Sequence, residues 1–313
     1  MSRPSWTRAA NSAGPLRPGV LRPTLLWAGL LWCATIGLCG MPGARAEEDE
    51  EVNTLGTSTT LSGLTGLVVT ESAHTLPPWT VAVSGSATYL HTSTPASLYE
   101  GAGQVAIGLP GRAELAAMLP GVHYDNGGTI TGLSDLQLSA KWRFIDQQET
   151  QWPSLALAVT GTLPTGKKGA VTLPFSQPGM GLRTVDDYGI AVRLIGSAEI
   201  DFTPDQYAVG LYAEGGFSFQ DLDHSTQDKY ATYALGVALP LLMRAESPLS
   251  SPLQLLLEVD GTYKRGADQD DVAVTPSLRY VGPVMVTAGF RYQAIQQSPD
   301  AYGAVAQVGF RFH

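Results

Sequence analysis

The octapeptide GTLPTGKK, Gly161 to Lys168, has the spacing of a phosphate-binding loop as far as Lys167. Lys168 then stands where Ser or Thr would bind magnesium, and the run leaves a candidate strand without opening a helix. It therefore reads as a strand end followed by an exposed loop. The five histidines, His74, His91, His123, His224 and His313, have no metal-ligand spacing with one another. His91 with Ser93, or His224 with Ser225, is close in sequence. Nucleophilic catalysis, however, needs base and hydroxyl brought together on neighbouring strands. The acidic runs QDLDHSTQD and GADQDD lack the regular ligand spacing of a calcium-binding loop. The expectation is no enzyme activity, no metal and no cofactor.

The other ionisable residues sit at every second position of apolar runs. In LQLSAKWRF, Leu136, Leu138, Ala140, Trp142 and Phe144 form one face, and Gln137, Ser139, Lys141 and Arg143 the other. LQLLLEVDGTYK sets Leu253, Leu255, Leu257, Val259 and Tyr263 against Gln254, Glu258, Asp260, Thr262 and Lys264. Period-two alternation is the signature of a strand with one apolar face. A soluble sandwich would bury that face, and a membrane barrel would turn it to lipid.

Twelve such segments follow Trp79, at about 79–90, 99–109, 111–119, 133–145, 153–164, 186–196, 206–219, 229–240, 253–264, 271–281, 283–293 and 301–312. A strand of about 10 residues crosses a bilayer at a 45° tilt. Tight links (LPG at 109–111, VGP at 281–283) contrast with longer ones such as LPGVHYDNGGTITG, although 197–205 and 241–252 read as links that are not tight. Aromatic residues gather at the strand ends: Trp79, Trp142, Phe144, Trp152, Tyr207, Tyr280, Phe310 and Phe312 at one rim, with Tyr89, Tyr188, Phe219, Tyr233, Tyr263, Tyr292 and Tyr302 at the other. Two aromatic girdles around a Leu/Val/Ala band are the pattern of a barrel in lipid. The fold expected is all-β, an antiparallel up-and-down transmembrane barrel of about twelve strands with a mobile N-terminal segment.

That topology places the charges inside. Arg112, Lys141, Arg143, Arg193, Arg279 and Arg311 are expected to form a basic ring lining the lumen near the periplasmic mouth. Glu114, Asp135, Glu214, Glu258 and Asp260 are the lumen acids, with Glu114 beside the basic set and Asp135, Asp260, Lys264 and Arg291 higher. Such a ring would filter anionic solutes, because the field in a narrow bore is poorly screened. The competing reading is a charge network that fills the lumen, pairing Glu114 with Arg112 and Arg143, and Glu258 with Lys141 or Arg279.

Residues 1–46 read as a signal peptide. Arginines precede the apolar run LLWAGLLWCATIGL, and ARA at 44–46 places the cleavage after Ala46. Both cysteines, Cys33 and Cys39, fall within it, so the exported chain has no disulfide. It keeps 14 Lys and Arg against 28 Asp and Glu, a balance unsuited to nucleic acid. Residues 47–78 form an acidic, then Ser/Thr-rich leader able to plug the lumen, and 79–313 the barrel.

The segments ITGLSDLQLSAKWRF and PSLALAVTGTLPTG, with the final GFRYQ and GFRF strands, resemble the outer-membrane barrels assigned as transporters of the phenol-degradation MetA pathway. The resemblance covers about residues 79–313. It implies a transport barrel for small, often hydrophobic compounds. GLTGLVVTESAHTLPPWTV is similar to the start of exopolysaccharide-associated outer-membrane barrels, with Glu71 where those often have Pro. The function expected is passage of a small solute through the outer membrane. A non-conducting structural or polysaccharide-export barrel is the alternative, and an outer-membrane hydrolase, marked by a Ser–His pair at the outer rim, the third. Lipid, the solute and the barrel-assembly machinery are the expected partners; the oligomeric state is left open.

Overall fold

The computed structural model describes residues 58–92, 96–125, 129–150, 152–166, 188–203, 207–220, 228–241, 252–264, 269–282, 284–295 and 300–312. The expected signal peptide and residues 47–57 of the leader lie outside these. The wall begins with β3 (Val81–Thr92), β4 (Ser97–Leu109) and β5 (Ala113–Asp125), after two short inner strands, β1 (Ser58–Thr59) and β2 (Thr65–Gly66). It continues through β6 (Thr129–Leu133), β7 (Leu136–Ile145), the one-turn helix α1 (Gln147–Thr150), β8 (Ser154–Leu163), β9 (Gly189–Thr203) and β10 (Tyr207–Gln220). The last five strands are β11 (Asp228–Pro240), β12 (Leu253–Lys264), β13 (Gln269–Tyr280), β14 (Val284–Ile295) and β15 (Ala301–Phe312).

Every neighbouring pair is antiparallel. β15 closes on β3 along the register from Val81↔Phe312 to Thr92↔Ala301. β6 and β7 both pair with β5 and form one wall strand interrupted at Ser134 and Asp135, so the barrel has 12 strands. Both ends of the wall, Val81 and Phe312, lie at the end carrying the β4–β5 turn, here called the turn end; the opposite end is the loop end.

The strands run further than alternation predicts in two places. β5 extends to Asp125 and pairs with β6, so most of LPGVHYDNGGTITG is wall and not loop. Pro120 has no N–H to donate, but its carbonyl accepts Ser134 N–H at 2.8 Å and the pairing resumes beyond it. β9 continues to Thr203, which shortens its link to β10 to residues 204–206. The β5 extension weakens the contrast between tight turns and long loops, whereas the tight β9–β10 link, on the turn side, strengthens it; the longest loop-side link follows β8.

Alternation sorts the side chains as the pleat requires. Leu257 is 49% exposed and its neighbour Glu258 is fully buried. Val105, Leu115, Leu138, Leu194, Leu235, Val286 and Val308 point outward around the wall, an apolar belt that water would disfavour and a bilayer accepts. Trp79, Trp142, Trp152, Tyr280, Phe310 and Phe312 ring its turn end, and Tyr99, Tyr188, Tyr292 and Tyr302 its loop end. No helix among the described residues is long and apolar enough to cross a membrane.

Leu257→Arg is expected to cost about 2–4 kcal/mol, and Tyr302→Arg at the rim about 0–1 kcal/mol. Urea unfolding in lipid vesicles measures both. Equal costs would mean that the inside–outside register is wrong.

Candidate functional site: the occupied lumen

From Ser58 to Ala73 every residue is buried, and the space these residues occupy is the lumen. The chain enters at the turn end, where Trp79 N–H donates to Gly108 O (2.8 Å) and Gly108 N–H to Thr80 O (2.9 Å). Gly108 faces inward, and a Cβ there would collide with the carbonyl oxygens of Leu76 and Pro77. Trp79 takes a φ of 65° as the segment turns into β3. Inside, β1 and β2 pair through Ser58↔Gly66 and Thr59↔Thr65, and Gly66 bridges to Glu71. A two-rung hairpin cannot hold itself together in water. Its stability must come from the wall.

The wall supplies acceptors first. Glu258 receives three consecutive backbone N–H groups, from Val68 (3.2 Å), Val69 (2.9 Å) and Thr70 (2.7 Å). Glu114 receives Thr65 N–H (2.9 Å) and Leu76 N–H (2.9 Å), and Glu214 receives Glu71 N–H (3.0 Å). Ser197 Oγ accepts Ala73 N–H at 2.6 Å. A buried carboxylate holding several N–H groups is a strong, charge-assisted anchor.

Donors come from the basic residues. Lys141 Nζ donates to the carbonyls of Thr65 and Ser72, both at 3.1 Å, and to Thr65 Oγ1, and it lies 3.8 Å from Glu114. Arg279 donates to Gly66 O (3.1 Å), and Arg193 pairs with Glu71 (2.9 Å). Gln307 and Gln104 donate to Thr60 O (3.2 Å) and Leu61 O (2.9 Å). Apolar contacts complete the fit. Leu61, Leu67, Val68 and Val69 pack with Tyr212, Ala238, Leu256 and Val305 of the wall, and Leu64 and Leu76 with Ala106, Ala116, Ala156 and Ile195. Gly236 leaves room for Leu67, which a Cβ would strike.

The basic residues named from sequence divide into two groups. Lys141, Arg193 and Arg279 are in the lumen and in contact with the segment. Arg143 is at the turn end, paired with Asp146 at 3.1 Å. Arg311 is partly buried, and its Nε and Nη2 have no hydrogen-bond partner among the described residues. Arg112 departs from the ring. It sits in the β4–β5 turn with a φ of 61°, 37% exposed, and bonds Glu149 of α1, which raises its pKa above the ordinary arginine value. The left-handed backbone of the turn aims the side chain away from the bore. Among the acids, Glu114 pairs with Lys141 and not with Arg112 or Arg143. Glu258 takes backbone N–H groups where a basic partner was expected. Asp260 forms a bidentate pair with Arg291 (2.8 and 2.7 Å), and Asp135 accepts Gly166 N–H (2.7 Å) at the break between β6 and β7.

Sequence reasoning passed over Gln104, Gln307, Ser197 and Glu71 as contacts, and Gly108 and Gly236 as gaps. The glycines carried a signal: both stand at inward positions, where a barrel filled by its own wall would place bulk. The histidines are settled locally. His74 bonds Glu199 at 2.8 Å, and His123 bonds Thr131 at 2.7 Å. His91 Nδ1 meets Ser97 Oγ, its register partner, at 3.0 Å, so a Ser–His pair does stand at the loop end. No carboxylate among the described residues bonds its other ring nitrogen to complete a triad. Ser93, His224, Ser225, His313 and Lys168 lie outside the described residues.

No family model matches this sequence. No curated protein matches it. Among solved structures, an outer membrane channel from Pseudomonas putida F1 is similar over 77% of this chain and 98% of its own, with 13% identity and a TM-score of 0.55. The β-domain of the Bordetella autotransporter BrkA covers 75% of this chain and 99% of its own, with 11% identity and a TM-score of 0.48. The likeness to the channel is one of fold, the closed antiparallel barrel.

Glu258→Ala would leave three buried N–H groups without an acceptor, each at about 1–3 kcal/mol. The segment is then expected to leave the lumen, and thermolysin to cut at Leu67–Val69 at least tenfold faster than in the parent barrel. Leu257→Ala, one residue away and outward, should leave the cleavage rate unchanged. Equal rates in all three proteins would remove Glu258 as the anchor.

Proposed function

We propose that this chain is an outer-membrane channel for a small solute, closed in the state described here by its own residues 58–78. One observation carries the reading. The filling of the lumen is a separate segment, tethered at Trp79 and held by hydrogen bonds to wall charges, while the wall closes on itself without it. Withdrawal toward the turn end would expose Lys141, Arg193 and Arg279 with Glu114, Glu214 and Glu258. The bore would then be polar, with three basic and three acidic side chains facing water. Removal of residues 1–46 at export, after Ala46, leaves the short acidic stretch 47–57 ahead of the segment.

The solute class has two supports that differ. The basic residues favour an anion, and the resemblance to MetA-pathway barrels favours a small hydrophobic compound. A compound with an apolar body and a carboxylate meets both. Bilayer lipid surrounds the belt, and the barrel-assembly machinery inserts it. A non-conducting structural barrel is the alternative, and conductance separates the two.

Thr59 and Ser84 hydroxyls are 2.9 Å apart, and the exported chain has no cysteine of its own. Thr59→Cys with Ser84→Cys should lock the segment when oxidised, and planar-bilayer recordings should show no conductance until a reductant is added. Deletion of residues 47–76 should give steady conductance. A silent deletion variant would leave the structural barrel as the answer.

In that deletion variant, Arg193→Ala with Arg279→Ala should shift the reversal potential under a salt gradient toward lower anion preference. An unshifted potential would remove the basic filter.

A further inference from the structure

One arginine inside the barrel stands against two acids. Arg193 Nη2 pairs with Glu71 Oε1 of the segment at 2.9 Å and donates to Thr160 Oγ1 at 2.8 Å. Glu214 of β10 accepts the backbone N–H of the same Glu71 at 3.0 Å. Arg193 lies opposite Gly216, two residues along β10 from Glu214 and on the same inward face. None of the three charged residues is more than 6% exposed.

The other buried acids are better provided for. Glu258 accepts three N–H groups, Glu114 accepts two and lies against Lys141, and Asp260 is held by Arg291. Glu214 has one N–H. Glu71 uses a single oxygen, Oε1, for both Arg193 and the Ser62 hydroxyl (2.7 Å). Its other oxygen, Oε2, is sealed from solvent and meets no donor among the described residues.

The charges acting on this pair are few. Glu214 is opposed by Glu71 and Asp260 and favoured by Arg193, and Asp260 is already paired. Lys141 adds positive charge on the Glu71 side, but it donates to Thr65 and Ser72. Two carboxylates sharing one buried site disfavour ionisation of both. An unpaired carboxylate there would be costly. One proton on the pair removes the excess charge and supplies a donor where Glu71 Oε2 has none.

We propose that Glu71 and Glu214 share one proton while the segment fills the lumen, and that loss of this proton releases the segment, so that the barrel opens as pH rises. The direction follows from where the proton is bound. The filled barrel holds it. Once the segment withdraws, both carboxylates face water and ionise in the ordinary carboxylate range. The open population therefore grows about tenfold per pH unit, until the pair loses its proton in the filled barrel as well. This latch rests on the reading that the segment can leave the lumen, and not on what then passes.

The test uses the full exported chain in lipid vesicles, with two readouts. Infrared spectra at pH 7 should show the C=O stretch of a protonated carboxylic acid, removed by Glu214→Gln and by Glu71→Gln. Thermolysin cleavage at Leu67–Val69, corrected at each pH by cleavage of an unstructured peptide, tracks the open population. It should rise at least fivefold from pH 6 to pH 8 in the parent barrel. In Glu214→Gln, whose amide stands in for the protonated acid, the rate should be flat. Glu71→Gln should also be flat, and it leaves the wall intact if the Glu214 variant does not fold. His74 with Glu199 is a second titratable contact between segment and wall, so His74→Gln should keep the rise. Absence of the infrared band overturns the shared proton. A flat parent profile overturns the latch, as does a rise that persists in the folded glutamine variants of the pair or one that His74→Gln abolishes. Failure of the channel reading shows separately, as a silent deletion variant in the bilayer recordings.

Discussion

The acceptance of three consecutive N–H groups by the Glu258 carboxylate is the contact on which the arrangement turns. A carboxylate sealed in a barrel is costly unless it is fully hydrogen-bonded, and backbone amides sealed in the same place are costly for the same reason. Neither Glu258 nor the 68–70 backbone is tolerable alone. Placed against each other, each removes the other's penalty. The same reciprocity repeats at Glu114, at Glu214 and, with the sign reversed, at Lys141 and Arg279, whose donors meet segment carbonyls.

This reciprocity explains why the interior charges do not simply neutralise one another across the bore. Lys141 and Glu114 approach to 3.8 Å, but both spend their better hydrogen bonds on Thr65. Asp260 with Arg291 shows the other solution, a bidentate pair that satisfies itself within the wall. The lumen therefore contains two kinds of charge. Self-paired residues brace the wall, as Asp260 of β12 does with Arg291 of β14 across β13, and segment-paired residues are committed only while the segment is in place. A wall of the second kind suits a part that can leave, since the released carboxylates and ammonium would then face water, which solvates them well.

The outer face follows different rules. There, apolar bulk meets lipid and needs no specific partner, so the belt carries Leu, Val and aromatic residues almost everywhere. Glycine and alanine interrupt it at Gly101, Gly121, Gly161, Gly215 and Ala288. Inner and outer faces are thus specialised separately, one for an internal segment and the other for the surrounding membrane.

Alternation alone determined most of the fold: twelve wall strands, the face each residue presents, and the burial of Lys141, Arg193, Arg279, Glu114, Glu214, Glu258 and Asp260. That information is local, because a pleated strand has a period of two whatever it pairs with. The leader was also legible as something able to enter the lumen. What tertiary structure decided was partnership. Arg112 has the right spacing for the ring, yet a left-handed turn residue swings it outward to Glu149. Glu258 has the right face for a basic partner, yet it holds a stretch of backbone nearly 190 residues earlier. Backbone N–H groups carry no sequence signature, so no reading of side-chain types could have named them as the ligands of the buried acids.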